Sequence, residues 1–517
     1  MAPEVLSVQT LVTDTVPHRP LTAKPHLTDV VIKFLGHLAL LNVDFKVTDG
    51  RTCPPEAQLH DRAAPIPALV ISPTTEGQVA QTLRLFQKLG LYDRFPLSIK
   101  SGGHGYFNGA SCTGVMLNLD RMDGRGVSGD TLHLEPGCVL GQIVHTLARN
   151  GKAVPHGDCF GVGAGGHFLT AGWDLILARR YGLGCQSVIG GRVALWDGTV
   201  VDVDDRNHPE LLWAMRGGAA AGVGVVTELR LRLIDEPPRA TWRFTRITKQ
   251  QLETCVAHKA FAKAANLPVD ISVSFRFHFE PDQLEPVASF NIVSLLTVAE
   301  TLVCLEERLG KEVTSIVAGD VSMWNEKSLL DLRMLPASDL LASNPDLLAD
   351  VTPLVLREQP LIYWKPTVTA REMARSYFTS ISHWVVMGCE DMLLKLYAAF
   401  SRAQTSPART RMYALVIQGG GRMSELQHEC SMPLGQALAR FELHWDKPKT
   451  EEKWCRGFTD DIHNIMRSRA DPAADRPYRG DIWLEEQAKD VRLDAILERY
   501  DMRFVSDESS PVETPML

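Results

Sequence analysis

The chain has no excess of positive charge. Against 54 Lys and Arg stand 62 Asp and Glu, a formal net charge of -8 over 517 residues, which argues against a nucleic-acid partner because such surfaces carry a basic excess or basic clusters. An uncharged apolar run of membrane-spanning length is also missing. Residues 1–25 show no basic segment followed by an apolar stretch and a small-residue cleavage site, and no Asn-x-Ser/Thr acceptor occurs. These absences predict an intracellular, cytoplasmic protein with neither nucleic acid nor membrane as partner. The 10 cysteines are widely spaced and none forms a Cys-x-x-Cys pair, so zinc and thioredoxin-like chemistry are not expected and no metal site is predicted. In a reducing compartment most of them read as core thiols, with Cys159 the exception.

What is present is the composition of an ordinary globular protein, 45% hydrophobic and 22% charged, in a chain longer than one hydrophobic core usually supports. Two domains are expected. Residues 26–48 carry apolar side chains at three- and four-residue spacing and predict an N-terminal helix. A strand over 65–72, a helix over 75–90 and a strand over 96–101 then form a small α/β unit able to hold a pyrophosphate. Strands over 114–118 and 131–135, a helix over 139–151, a hairpin turning at Trp196-Asp197-Gly198 and a strand over 224–233 suggest a second unit with more antiparallel pairing. Glu236-Pro237-Pro238 marks the first boundary. Beyond it, strands over 270–280, 288–296, 412–419 and 441–445 and helices over 298–309 and 372–384 predict an antiparallel sheet backed by helices. The predicted division is therefore 1–236, 237–450, and 451–517 returning to the first domain and ending in a tail.

Two glycine-rich segments dominate the chain: Ser101-Gly102-Gly103-His104-Gly105-Tyr106, directly after a strand, and His156-Gly157-Asp158-Cys159-Phe160-Gly161-Val162-Gly163-Ala164-Gly165-Gly166-His167. Without a Cβ, such loops let backbone approach a flat or anionic ligand closely. Each sets one reactive side chain, an imidazole or a thiol, among the glycines. Ordinary tight turns with one buried His and one buried Cys account for either segment taken alone. Gly161 to Gly166 also satisfies Gly-x-Gly-x-x-Gly, but it follows Pro-His-Gly-Asp-Cys rather than an apolar strand and lacks the acidic residue expected about 20 positions on, so a Rossmann dinucleotide site is not indicated.

Taken together, the two segments closely resemble the berberine bridge enzyme-like branch of the vanillyl-alcohol oxidase (PCMH-type FAD-binding) superfamily. Arg216-Gly217-Gly218 and the run from Gly222 to Thr227 resemble a further family stretch. The resemblance implies an α+β fold: two α/β subdomains forming a PCMH-type FAD-binding domain, plus a substrate domain with an antiparallel sheet backed by helices that roofs the flavin. It also implies FAD bound covalently at His104, through the flavin 8α carbon, and at Cys159, through C6. Ser101, Gly102, Gly103, Gly105, Val162, Gly163, Gly166, His167 and Val226 fall on the family's cofactor-binding stretches. The small Val162 implies access of O2 to the flavin, hence an oxidase releasing hydrogen peroxide. Tyr478 is the candidate base, although the C-terminal segment departs from the family pattern there.

Hydride transfer to flavin N5 needs a base within hydrogen-bond reach of the substrate proton. Residues two apart on a strand share a face, so Arg276 with His278, Tyr363 with Lys365, and His444 are candidates to line a substrate cavity, which would be basic and suited to an acidic small molecule if they converge. Solvated or ion-paired faces are the alternative. The expected activity is oxidation of an alcohol, carbohydrate or secondary metabolite by O2. An FAD-linked dehydrogenase, a cyclising oxidase of a biosynthetic pathway, or a flavin-fold binding protein without catalysis remain as alternatives.

Overall fold

A computed structural model describes residues 27–105, 108–218, 222–333, 376–472, 474 and 491–500. The first unit opens with α1 (Leu27–Leu40), which buries Val31, Phe34 and Leu38 along one stripe. The helix expected to reach 48 stops here. Asn42 turns the chain at φ 52°, and β1 (Asp44–Val47) pairs antiparallel with β2 (Leu69–Ser72). Thr75 caps α2 (Glu76–Lys88), its hydroxyl accepting the Gln78 N–H at 3.3 Å, and the helix buries Val79, Leu83 and Phe86. β3 (Leu97–Lys100) and β4 (Val115–Asn118) complete a sheet of order β1-β2-β4-β3, in which β2, β4 and β3 run parallel. The Gly-Gly-His turn leaves the carboxyl end of β3, the end at which parallel α/β sheets present ligand sites.

The second unit is antiparallel: β5 (Arg125–Ser128), β6 (Thr131–Leu134), β8 (Val188–Leu195), β9 (Val200–Val203) and β10 (Gly224–Arg232) assemble in the order β5-β6-β10-β8-β9. Short strands β7 (Lys152–Ala153) and β11 (Ile234–Asp235) form a separate ribbon. Helices α3 (Leu140–Asn150), α4 (Ala164–Thr170) and α5 (Pro209–Met215) add to its core. The hairpin expected at Asp197-Gly198 forms, with the Asp197 carboxylate accepting the Thr199 N–H at 2.7 Å.

The third unit is a seven-stranded sheet built from β12 (Ala240–Ile247), β13 (Ile271–His278), β14 (Val287–Ser294), β15 (Asn325–Lys327), β16 (Tyr377–Val385), β17 (Met412–Gln418) and β18 (Ala437–Trp445), in the order β15-β12-β14-β13-β17-β18-β16. Every described pair is antiparallel. One face carries Phe275, Phe277, Phe290, Ala414, Phe441 and Leu443, and is covered by α6 (Lys249–Ala257), α7 (Ala260–Ala264), α8 (Val298–Leu309), α9 (Lys311–Ala318), α11 (Glu390–Arg402) and α12 (Pro448–Arg467), while α10 (Leu329–Arg333) packs against β12 at the sheet edge.

Two expectations need correction. The helix expected over 372–384 is instead β16 from 377 onward, paired residue for residue with β18 from Tyr377↔Trp445 to Val385↔Ala437. Its aromatic and β-branched residues suit a pleated surface, and tertiary pairing decides the outcome. The boundary expected at 450 falls inside α12, which packs on β16 and β18. α13 (Val491–Tyr500) reaches back to the second unit, where the Tyr500 hydroxyl lies 2.9 Å from His208 Nδ1 and Arg499 pairs with Glu210 at 2.6 Å.

Candidate active site

The two glycine segments meet backbone to backbone. A Cβ on Gly102 would lie 2.5 Å from the Gly163 nitrogen, and one on Gly163 would lie 2.2 Å from the Gly102 nitrogen. Glycine is required at both places for that reason. Gly103 adds a left-handed φ of 71°, and the Ser101 hydroxyl donates to the Pro136 carbonyl. Flanking this contact, His104 is buried and Cys159 exposed. Burial holds the His104 imidazole below its ordinary pKa, so it is uncharged near neutrality. Gly105 and Gly166 are exposed, and a Cβ on Gly166 would meet nothing within 4 Å.

The cysteine turn is held from beneath. His167 Nε2 accepts the Gly157 N–H at 3.1 Å, which places its proton on the other nitrogen, and burial pushes its pKa down to about 4. Deeper in, the wholly buried Asp174 pairs with Arg333 at 2.7 Å. The same carboxylate accepts the His156 N–H at 2.9 Å and those of Ile176 and Leu177 at 2.8 Å each. Burial alone would raise the Asp174 pKa, yet Arg333, His156 and these donors leave it lowered. Asp158, beside Cys159, goes the other way: burial and the Asp174 charge push it up to about 6. Arg333 comes from α10, so this network joins the cysteine turn to the third unit.

The face of the seven-stranded sheet away from its helices closes over this region. Its margins are apolar, with Trp384 and Leu438 entering the core of the second unit and Trp384 packing on Trp173 at 5.6 Å. Its middle is polar. Arg276 and His278 stand on this face, Arg276 with its guanidinium over the Tyr413 ring at 5.5 Å. In β18, Arg440, Glu442 and His444 follow at alternate positions. Glu442 is ion-paired with Arg440 and lies 3.8 Å from His444 Nε2. Burial raises its pKa, but Arg440 and hydrogen bonds from His444 and Tyr413 outweigh that and hold it at about 2. His444 Nδ1 lies 2.8 Å from the Ser376 hydroxyl.

The structure therefore brings Ser101, Gly102, Gly103, His104, Gly105, Cys159, Val162, Gly163, Gly166 and His167 together around one contact, with Arg276, His278 and His444 on the opposing sheet face. Val226 is different: its side chain is buried in β10 opposite Val193, within the core. Tyr363, Lys365, Tyr478 and Tyr106 lie outside the described residues. Acidic groups stand among the basic ones expected there: Arg440 is ion-paired with Glu442, and His278 lies 3.3 Å from Glu280, which binds Arg246 at 2.6 Å. Sequence reasoning missed His60, Asp174, Arg333, Tyr413, Arg440 and Glu442. The alternation of Arg440, Glu442 and His444 inside an apolar run was a usable signal. Asp174 and Arg333, 159 positions apart, offered none.

Comparison with known proteins accords with this geometry. Residues 67–204 match the family model described as FAD binding domain. A chitooligosaccharide oxidase of Gibberella zeae is 37% identical over 181 residues, 34% of this chain and 36% of that protein. Berberine bridge enzyme-like 23 of Arabidopsis thaliana is 29% identical over 209 residues, 39% of this chain and 38% of the relative. The matched stretch thus spans little more than a third of these curated relatives. The likeness in fold is far wider. A solved chitooligosaccharide oxidase superposes with a TM-score of 0.73 at 20% identity, over 91% of this chain and 97% of the other.

Residues 67–204 thus match an FAD binding domain, set within a fold shared with a solved chitooligosaccharide oxidase. Its overall fold is shared with solved berberine bridge enzyme-like proteins, one from Physcomitrella patens superposing with a TM-score of 0.71 at 17% identity over 90% of this chain and 96% of the other. FAD is the cofactor of the matched domain, and the residues present suit it: two glycine turns whose contact a Cβ would break, an uncharged imidazole and an exposed thiol. The intracellular, cytoplasmic expectation is overturned, because the chitooligosaccharide, carbohydrate and xylooligosaccharide oxidases among the relatives are secreted extracellular enzymes. Leader and sequon patterns report processing, which the folded core does not require. Among the described residues no helix is long and apolar enough to cross a membrane.

Proposed function

We propose that the chain is an FAD-dependent oxidase of a small hydroxyl-bearing substrate, with an alcohol, carbohydrate or secondary metabolite as donor and O2 as acceptor, and that FAD is bonded to both His104 and Cys159. The observation that carries this reading is the backbone contact of Gly102 with Gly163, which joins the turn leading to buried His104 with the turn that follows exposed Cys159. The relatives named as oxidases of oligosaccharides support the donor class.

Bound FAD supplies hydride acceptance at N5. The chain's own residues bind and orient the donor and take its hydroxyl proton. Among the described residues the proton acceptor best supported is His444 acting through the Ser376 hydroxyl, because its Nε2–H faces the ionised Glu442 and its Nδ1 lone pair faces Ser376, which can relay a donor's proton to it. Glu442 itself, with a pKa of about 2, is too weak a base for that task. Tyr478 remains the second candidate. Arg276, partly fixed by Tyr413, is suited to grip a donor's oxygen atoms.

The test is the intact mass of the acid-denatured protein followed by peptide mapping. One FAD mass joined to the peptides of both His104 and Cys159, with peroxide formed during turnover of an oligosaccharide or alcohol, is the expected result. A colourless protein without adduct refutes the reading.

A further inference from the structure

Resting on the proposed bond between His104 and FAD, we infer that His60 is a positioning residue for that bond. It lies outside both glycine turns and before the residues that match the FAD binding domain. Its ring is nevertheless stacked on that of His104, with centroids 5.2 Å apart and planes within 9° of parallel. Phe378 tilts against it at 5.3 Å and His444 meets it edge-on at 5.6 Å. Both stacked rings are buried, His60 at 7% and His104 at 8% exposure.

The backbone around His60 is fixed from both sides of the cleft. Its N–H donates to the Gly103 carbonyl at 3.0 Å, and two residues on, the Arg62 N–H donates to the Ser376 carbonyl at 2.9 Å. His60 thus sits as a wedge between the Gly-Gly-His turn and the β16–β18 edge of the sheet above it.

Two consequences follow for His104. A flat neighbour in van der Waals contact restricts the ring to one plane, which preorganises it for attack. Burial disfavours the charged form of both rings, and two adjacent imidazolium charges would repel, so the pair cannot be protonated together. A neutral ring is what the bond requires, since an imidazolium has no lone pair to offer. Bond formation joins an imidazole nitrogen to the flavin 8α carbon. The imidazole N–H and one methyl C–H are lost as protons, and the two electrons left on the flavin ring pass to dioxygen, giving hydrogen peroxide.

The experiment maps flavin adducts by mass in wild type, His60→Ala and His60→Phe, alongside total FAD content and melting temperature. His60→Ala is expected to lower the His104 adduct about tenfold while the Cys159 adduct is retained. His60→Phe, which keeps a flat ring and adds no charge, is expected to retain most of the His104 adduct. An undiminished His104 adduct in folded His60→Ala overturns the inference. No His104 adduct in wild type overturns the underlying functional reading instead. Where His60→Ala does not fold, His60→Phe is compared with His60→Leu, and equal adduct fractions overturn the inference.

Discussion

Replacing Asp174 with Asn removes the counter-charge of a guanidinium that is only 4% exposed, while its own site is wholly closed to solvent. Taking one partner from a buried ion pair typically costs about 3–5 kcal/mol, because the remaining charge is left uncompensated. Here the loss extends further. The carboxylate accepts the N–H groups of His156, Ile176 and Leu177 as well as Arg333, and an amide offers one oxygen in place of two. A penalty toward the upper end of that range is expected, roughly 8–10 °C in melting temperature at about 2 °C per kcal/mol for a large chain. Urea titration can be followed by intrinsic fluorescence, since Trp173 and Trp384 pack at 5.6 Å across the same junction. The Asp174→Asn, Arg333→Met double variant should regain much of the loss, because it leaves no buried charge. A single variant within about 1 kcal/mol of wild type would refute the reasoning, as would a double variant no better than the sum of its parts.

Gly163→Ala should lose FAD and fold poorly, because its Cβ would sit 2.2 Å from backbone that cannot yield. Gly166→Ala, with nothing within 4 Å, should match or slightly exceed wild type in melting temperature, and equal behaviour of the two would contradict the account of the contact. Val162→Leu should slow reoxidation of the reduced protein in stopped-flow mixing with O2 without changing its fold, and an unchanged rate would remove Val162 from oxygen access. His60 and His167 have folded pKa values of about 4, below their ordinary 6.5. Between those values the unfolded chain binds protons that the folded chain does not, so stability is full above about pH 6.5 and falls as pH drops toward 4, by at most about 1.4 kcal/mol per pH unit per group. A melting series over that range should slope accordingly, and more gently in His60→Phe.

The parts of the molecule readable from the sequence were those with local causes. Thr75 before an amphipathic run announced α2, Asp197-Gly198 announced its hairpin, and glycines around His104 and Cys159 announced two backbone turns. That the turns touch is a tertiary fact. β16 was misjudged because its aromatic and β-branched residues support either period until β18 fixes the register. His60 sits in a stretch without periodicity, and only the folded chain shows it stacked on His104. The Asp174–Arg333 pair joins units distant in sequence, and each residue alone looks like any surface charge.

The strict alternation of the seven-stranded sheet has a consequence for substitutions. Phe275 and Phe277 hold the helix-backed core while Arg276 and His278, one position away, look into the cleft. Phe441 and Leu443 are separated from Arg440, Glu442 and His444 in the same manner. Substitutions at Arg276 and His278 can therefore change what the cleft meets while the aromatic packing behind them is untouched. Chemistry at the front and packing at the back thus answer to separate positions of the same strands.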